Sequence, residues 1–589
     1  MTNSIFGLVD FDKTLKLQDA NFYKEDNLFF KNDKNQTKNI NTITISFYGS
    51  IYNKPKDTDI FEFIYEKYKD NGIKFIENLD GVFSIVIYDR QKELLYIIKD
   101  RAGLQSLYFY AKKNSLIFGS RLKDFYNIPS FTKKIDKKAL SSYLTYGYIL
   151  QPLSIFEDTK KVKAGHFIEY DLKTKVYKEQ KYWSLESCYK EKKILDEKET
   201  IKKVTTILEK SISKRLLNSK NFASSLSGGY DSSVVAALLK EQSGKKLDTF
   251  TIGFDDKNIN EAHHAKKIAS HLQTNHHEHY FSIKDAREIV PKLCKVYDEP
   301  FADYGATPTV LMANLVRENG FDTLFVGDGG DEVFATADDT SKLEKILNFP
   351  KPIKLTFHKL LEFINPSRIS HLNKYQNIPT KHYKLLQILK APNIPQMIKA
   401  RNVIFDKPQI KKLLKLQDVN FASTFDDIDF PPLAQAVDQV IGTYFKTSMA
   451  DAELVKSFGA TFASNLDIKE PLLDLHLIEF MAKVPQSLKI KNDEKKYILK
   501  QIAHKYIPKN LLNRPKCGFD IPFSFWLKGE LKELLFEQIN ELRLLDDDIF
   551  DIKLVLEIRD MFYSGKDEYK YKLWTIFVFQ LWLEEIKKN

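Results

Sequence analysis

Ser227-Gly228-Gly229-Tyr230-Asp231-Ser232-Ser233 decides how the rest of the chain is read. Before it, Ala223 to Leu226 is a short, partly apolar stretch of strand length. After it, Val234-Val235-Ala236-Ala237-Leu238-Leu239-Lys240 continues well as a helix. A strand, a glycine turn and a helix N-terminus aim several backbone N–H groups and the positive end of a helix dipole at one spot, which suits phosphate. Glycine lets the backbone approach an anion closely. The serines donate hydrogen bonds, and Asp231 can hold a magnesium ion that the phosphates share. No Gly-Lys-Ser/Thr ending follows, so this is not a Walker A loop. A loop that grips the β- and γ-phosphates leaves the α-phosphorus open to attack, giving AMP transfer and pyrophosphate.

Going outward, 589 residues are too many for one ordinary domain. The hydrophobic fraction of 43% allows large cores. The net charge of +11 is spread along Lys-, Asn- and Ile-rich segments. No basic tract with interleaved aromatics stands out, so no nucleic-acid partner is expected. Cys188, Cys294 and Cys517 lie far apart, which excludes a disulfide framework and fits a reducing cytoplasm. The N-terminus lacks the pattern of a signal peptide. The apolar run Leu573–Leu583 is too short to span a bilayer and reads as a buried helix, so no membrane partner is expected.

The first part, to about Tyr182, is strand-rich: Thr42–Tyr48, Val82–Tyr88, Leu94–Lys99, Leu107–Tyr110 and Leu116–Gly119 are divided by polar turns. Residues 184–200 are charged and read as a linker. A helix over Ile201–Leu217 then leads to the glycine loop. Strands Asp248–Phe254, His277–Phe281 and Thr323–Val326 alternate with helices Asn260–His271, Ile283–Tyr297 and Pro308–Asn319. That alternation predicts a parallel α/β sheet. Beyond Glu332 the chain reads as largely helical to its end, with a Lys-rich insertion over 340–426.

A second loop, Gly327-Asp328-Gly329-Gly330-Asp331-Glu332, follows the strand Thr323–Val326. Open α/β sheets bind ligands at such strand ends. Asp231 and Asp331 can then face one magnesium ion from two loops.

With both loops in hand, the chain resembles the asparagine synthetase family. Further matching pieces are Thr249–Phe254, Asn260-Glu261-Ala262, Tyr297–Asp303, Glu470–Asp474, Lys496-Tyr497-Ile498-Leu499-Lys500 and Asn513–Phe519. Asp80–Phe83, Asp100–Gly103 and Leu107-Tyr108 look like that family's glutaminase domain. The resemblance implies a two-domain α/β and α+β protein. Residues 1–183 form an N-terminal-nucleophile-type, glutaminase-like layered β-sandwich, 184–200 a linker, and 201–589 a pyrophosphatase-loop parallel α/β domain with helical additions.

It also implies ATP and Mg2+ as cofactors, a small-molecule or peptide carboxylate as substrate, and ammonia or an amine as its partner. The carboxylate attacks the α-phosphorus, and the nitrogen nucleophile then displaces AMP. By position, the resemblance puts Leu226 and Ile252 beside adenine and ribose, and Val326-Gly327 on AMP. Ser227, Gly228, Gly229, Ser232 and Ser233 fall on the phosphates, and Asp231 and Asp331 on the metal. Asp328 takes the place of the acidic residue linked to forming the intermediate, and Lys516 offsets developing charge. A homodimer is left open.

The pattern breaks in two places. Glutaminases of this family expose a cysteine after Met removal; here Thr2 follows Met, or Asn3 is the match if Ile5-Phe6-Gly7 is the anchor. The Asn-Gly-Glu of the family reads Tyr48-Gly49-Ser50, and its arginine-bearing strand has no counterpart before Phe47. That leaves Thr2, Gly49 and Asp59 as a vestigial glutamine site, so the first domain is expected to be inactive. In the second half, Lys-x-Asp-Arg reads Lys456-Ser457-Phe458-Gly459, and Leu-Glu-x-Arg reads Leu466-Asp467-Ile468-Lys469. Arginine forks suit carboxylates and lysine is not their equal, so a substrate other than free aspartate is expected. β-Lactam synthetases and lasso-peptide cyclases are relatives that also lack the cysteine. Alternatives are an authentic asparagine synthetase, using glutamine or ammonia, and a non-catalytic scaffold. His263, His264, His271, His276, His277 and His279 cluster, and they read as structural rather than metal-binding.

Overall fold

Strands that are apolar on both faces dominate the first 180 residues. In the computed structural model they build two six-stranded sheets stacked face to face. The structure describes residues 4–11, 22–25, 28–31, 36–190, 196–217, 219–255, 260–336, 340–363, 377–513 and 523–588. The first sheet runs, in spatial order, Thr159–Lys161, Tyr108–Lys112, Ser115–Gly119, Phe6–Asp10, Leu28–Lys31, Phe22–Glu25. The second runs Val176–Lys181, His166–Asp171, Leu94–Lys99, Gly81–Asp89, Ile43–Ile51, Thr37–Ile40. Side chains alternate across each strand. Val86 and Tyr88 enter the core between the sheets with Leu116 and Phe118, while Ile85 and Ile87 enter the outer core beneath the helix Ile60–Asn71. On the far side, Phe6, Leu8 and Tyr110 pack under the helices Lys137–Tyr146 and Lys570–Lys588. Burial on both sides explains why these strands read as near-continuous apolar runs.

The second half is built on a five-stranded sheet, all parallel, in the order Asn275–Phe281, Asp248–Phe254, Phe222–Ser225, Thr323–Phe325, Asp467–Lys469. From the central strand Phe222–Ser225 the chain winds to one side for two strands and then returns to its other side. The strand order therefore reverses between Phe222–Ser225 and Thr323–Phe325, and the loops leaving these two neighbours open a crevice there. Both glycine loops leave from this point. The helix Tyr230–Ser243 behind the first loop buries Val234 to Leu239 completely.

Two expectations are corrected. The helix expected over Ile283–Tyr297 is broken into Ile283–Ile289, Val290–Lys292 and Leu293–Val296, because Pro291 supplies no N–H to the ladder. The linker expected at 184–200 is shorter. Ser184 caps a helical turn, Leu185–Cys188, whose Leu185 is buried, and the next helix starts at Glu197 under the Asp196 cap. The stretch beyond Glu332 is largely helical, as expected, with Asp467–Lys469 adding the fifth strand. No described helix is long and apolar enough to cross a membrane; Leu573–Leu583 is buried within Lys570–Lys588.

The two halves share a polar, buried seam. Arg121 forks onto Asp298 at 2.8–3.0 Å, Lys161 pairs with Glu299 at 2.7 Å, and Gln151 bonds Asp451 at 2.8 Å. Lys214 reaches Asp80 at 2.6 Å. The first domain is thereby fixed against the sheet edge where the loops lie.

Candidate active site

The first loop turns sharply because Gly228 has φ +78°, where a Cβ would lie 2.9 Å from the Ala265 nitrogen. Gly229 is the N-cap of the helix Tyr230–Ser243. Inside the loop, Ser227 N donates to Ser232 Oγ at 3.1 Å and Gly229 N to Ser227 Oγ at 3.3 Å. These bonds hold the turn open toward the helix start, whose first-turn N–H groups have no partner within the helix. Ser233 Oγ is buried without a hydrogen-bond partner among the described residues. Leu226 and Ile252 are both buried, but their side chains enter different cores rather than meeting. Val326 is buried in the same core as Ile252.

The second loop lies directly on the first. A Cβ on Gly327 would be 2.7 Å from Ser232 N, and one on Gly330 would collide with the Asp231 carboxylate. Glycine at both positions is what lets the loops touch.

The two carboxylates expected to share a metal meet on a lysine. Lys496 Nζ lies 2.5–2.7 Å from the Asp231 oxygens and 2.5 Å from Asp331 Oδ1. Its side chain is only 8% exposed. Burial pulls its pKa down, but Asp231 and Asp331 outweigh that and raise it, so the ammonium stays charged. Lys496 also sits at φ +54°, a left-handed conformation uncommon for a non-glycine residue, just ahead of the helix Tyr497–Tyr506. The sequence motif at Lys496–Lys500 was legible as a family match, yet its spacing assigned Lys496 no role. Two carboxylates close enough to share one ammonium are close enough to share one magnesium ion, and they offer the hard oxygen donors it prefers. Asp231 and Asp331, with the glycine cradle, therefore fit the ion.

Behind this pair lies a second group of acids. Asp328 is half-buried, its carboxyl pushed up by desolvation and held back by a hydrogen bond from Ser457 Oγ at 2.7 Å. Glu332 is pushed up to about 8 by burial and by Asp331 and Glu453. Glu453 ends a π-helical turn, Phe445–Glu453, and pairs with Lys456 at 2.6 Å, which also reaches Asp303 at 3.0 Å. Sequence reading missed Glu453 and Asp303. The departure at Gly459 is built into the packing: a Cβ there would be 2.5 Å from the Tyr297 ring. No arginine fits at that position without displacing Tyr297.

The vestigial glutamine site is dispersed among structural duties. Gly49, at φ +123°, lies against the Val82 carbonyl inside its sheet. Asp59 caps the helix Ile60–Asn71 through Phe61 N and Glu62 N and pairs with Lys38 at 3.3 Å. Ser50 Oγ accepts from Lys469 at 3.2 Å, across the seam. Thr2 and Lys516 lie outside the described residues. The clustered histidines have local partners: His276 with Thr249, His277 with Asp248, His279 with Asp285, and His271 with the Tyr506 carbonyl.

Two family models match the chain, asparagine synthase over residues 203–584 and glutamine amidotransferase over residues 37–183. Glutamine-hydrolyzing asparagine synthetase 1 of Bacillus subtilis is 25% identical over 550 residues, covering 91% of this chain and 82% of that protein. A Methanocaldococcus jannaschii protein provisionally named glutamine-hydrolyzing asparagine synthetase 2 is 31% identical over 353 residues, covering 57% of this chain and 67% of its own length. Among solved structures, an NMN synthetase from Francisella tularensis matches with a TM-score of 0.18 at 14% identity, covering 24% of this chain and 60% of that one.

Proposed function

The chain belongs to the asparagine synthase family, and from that premise we propose that it is an ATP-dependent amide synthetase with a glutaminase-like domain that no longer cleaves glutamine. A substrate carboxylate attacks the α-phosphorus of ATP, the pyrophosphate leaves, and ammonia or an amine displaces AMP from the acyl-adenylate. The observation that carries this reading is the convergence of Asp231, Asp331 and Lys496 at the strand-order reversal. Ser227, Ser232, Ser233 and the first-turn N–H groups bind the β- and γ-phosphates, with Gly228 and Gly229 giving them room. Lys496 is a buried cation already aimed at that spot, so little reorganisation is needed as charge builds on the phosphates. Magnesium, held by Asp231 and Asp331, would neutralise phosphate charge. Leu226, Ile252, Val326 and Gly327 supply the nucleoside side of the crevice through their backbone.

Asp328 orients the nitrogen nucleophile and takes its proton. Its raised pKa brings it closer to the range of a useful base, and Ser457 limits the rise. Lys516 is assigned to the oxyanion by its position in the sequence. Glycine at 459, locked beneath Tyr297, favours a carboxylate other than one gripped by an arginine fork.

The test is pyrophosphate release by the purified full-length protein, given ATP, magnesium, ammonium and a panel of small carboxylates that includes aspartate. Asp231→Ala should abolish it. Release that persists unchanged in this variant would remove the loop from the reaction.

A further inference from the structure

The seam between the domains holds a chamber whose chemistry the adenylation step does not use. It is a half-open cavity of about 360 Å3, walled by Tyr48, Ser50 and Gln105 on one side and by Phe458, Phe462 and Glu470 on the other. Glu470 directly follows the strand Asp467–Lys469, at the same sheet edge as the Gly327–Glu332 loop, and Val326 N bonds the Lys469 carbonyl there at 3.0 Å. Glu470 is 3% exposed, and among the described residues no hydrogen bond or ion pair ends on its carboxylate.

The nearby cations are already committed. Lys469 Nζ is held by Asp467 at 2.7 Å and Ser50 at 3.2 Å, and Arg215 by Asp474 at 3.3 Å. Gln105, 7% exposed, also has a buried amide oxygen with no donor among the described residues. The remaining wall is aromatic: the Tyr48, Phe458 and Phe462 ring centroids are 5.7–6.5 Å apart. A carboxylate and an amide oxygen without donors, beside π faces, describe a site for a small cation that donates hydrogen bonds.

We propose that this chamber binds the primary ammonium group of the nitrogen donor, and that Glu470 takes its proton and releases the neutral amine toward Asp328. The proposal rests on the amide-synthetase reading above. One N–H bond breaks and one O–H bond forms; the lone pair left on nitrogen is the nucleophile for the adenylate, and the proton on Glu470 returns to solvent through the open side. A cationic amine has no lone pair, so an amide synthetase without a working glutaminase needs such a step. Burial, then Asp328 and Asp467, push the Glu470 carboxyl up, Arg215 and Lys469 pull it down, and it settles at about 8. That brings it toward the range of amines, where proton exchange is efficient in both directions.

The test is calorimetric titration of the full-length protein with methylammonium chloride, which stays cationic from pH 6 to 9. At pH 9 the wild type should bind it, and Glu470→Gln and Glu470→Leu should each bind about tenfold more weakly or worse. In the wild type itself, affinity should fall about tenfold or more from pH 9 to pH 6 as Glu470 takes up a proton. That arm does not depend on how the variants fold. Ammonium and ethylammonium chloride run in parallel separate the two sources. Methylammonium binding much weaker than ammonium, with ethylammonium weaker still, assigns the site to free ammonia, and comparable binding of all three assigns it to a substrate amine. No binding by the wild type at pH 9, equal binding by the Glu470 variants, or affinity unchanged between pH 9 and 6 would overturn the proposal. Titration of the same proteins with Mg-ATP keeps the two readings apart: a wild type that fails to bind Mg-ATP refutes adenylation, whereas intact Mg-ATP binding without methylammonium binding refutes only the chamber.

Discussion

Lys496→Met removes an ammonium shared by Asp231 and Asp331. Breaking a buried ion pair by deleting one partner costs about 3–5 kcal/mol, because the remaining charge stays buried. Here the lysine is 8% exposed, but Asp231 is 24% and Asp331 40% exposed, so water screens the two carboxylates in part. The lower end, about 3 kcal/mol, is the reasoned cost. At roughly 2 cal/mol/K per residue over the C-terminal domain, that lowers its Tm by about 4 °C. Magnesium should then recover more of the loss in Lys496→Met than it adds to the wild type, because it no longer competes with the ammonium for two acids. Differential scanning calorimetry with and without magnesium reads both effects. A Tm drop below about 1 °C, or equal magnesium effects on the two proteins, would refute the claim that this lysine holds the loops together.

Gly327→Ala puts a methyl group 2.7 Å from Ser232 N; it should cost about 1–3 kcal/mol in a melt and remove ATP binding, and a normal Mg-ATP titration would contradict the stacking of the loops. Ser457→Ala should move the acidic limb of the pH–rate profile upward, since the Ser457 hydroxyl holds the Asp328 pKa down; an unmoved limb would take Asp328 out of the rate. Glu332 is raised from its ordinary value near 4.5 to about 8, so the stability it contributes is full below 4.5 and is lost as pH rises through 8. Glu332→Gln should therefore gain stability relative to wild type between pH 5 and 8, and a pH-independent difference in denaturation midpoints would count against its burial as an acid. Glutamine incubated with the protein should yield no glutamate above background in a coupled dehydrogenase assay; steady release would restore the first domain as an enzyme.

Much of this arrangement was legible in the sequence because it follows local rules. The glycine loop declares itself through strand, turn and helix in succession, and the second loop through its repeat of the pattern at Gly327–Glu332. The strand runs at Val82–Tyr88 and Leu116–Gly119 stand out because both their faces are buried. What escaped depends on pairings distant in the chain. Lys496 lies 265 positions from Asp231, and nothing local marks a lysine before a helix as the cation between two loops. Asp467–Lys469 is three residues long, too short to show a period, and becomes a strand only because Thr323–Phe325 offers it an edge. Glu470 looks like an ordinary surface acid until Tyr48, Gln105 and Phe458 from elsewhere in the chain close over it. The break in the helix at Pro291, by contrast, was written in the sequence and follows from proline's missing N–H.

The most direct measurement follows oxygen. With a carboxylate labelled in both oxygens by oxygen-18, attack on the α-phosphorus transfers one labelled oxygen to AMP as the amide forms. Mass spectrometry of the nucleotide should therefore find AMP heavier by one oxygen-18, and none in Asp231→Ala. Label appearing in inorganic phosphate alongside ADP would instead mean attack on the γ-phosphorus, and would contradict an adenylating site at the two glycine loops.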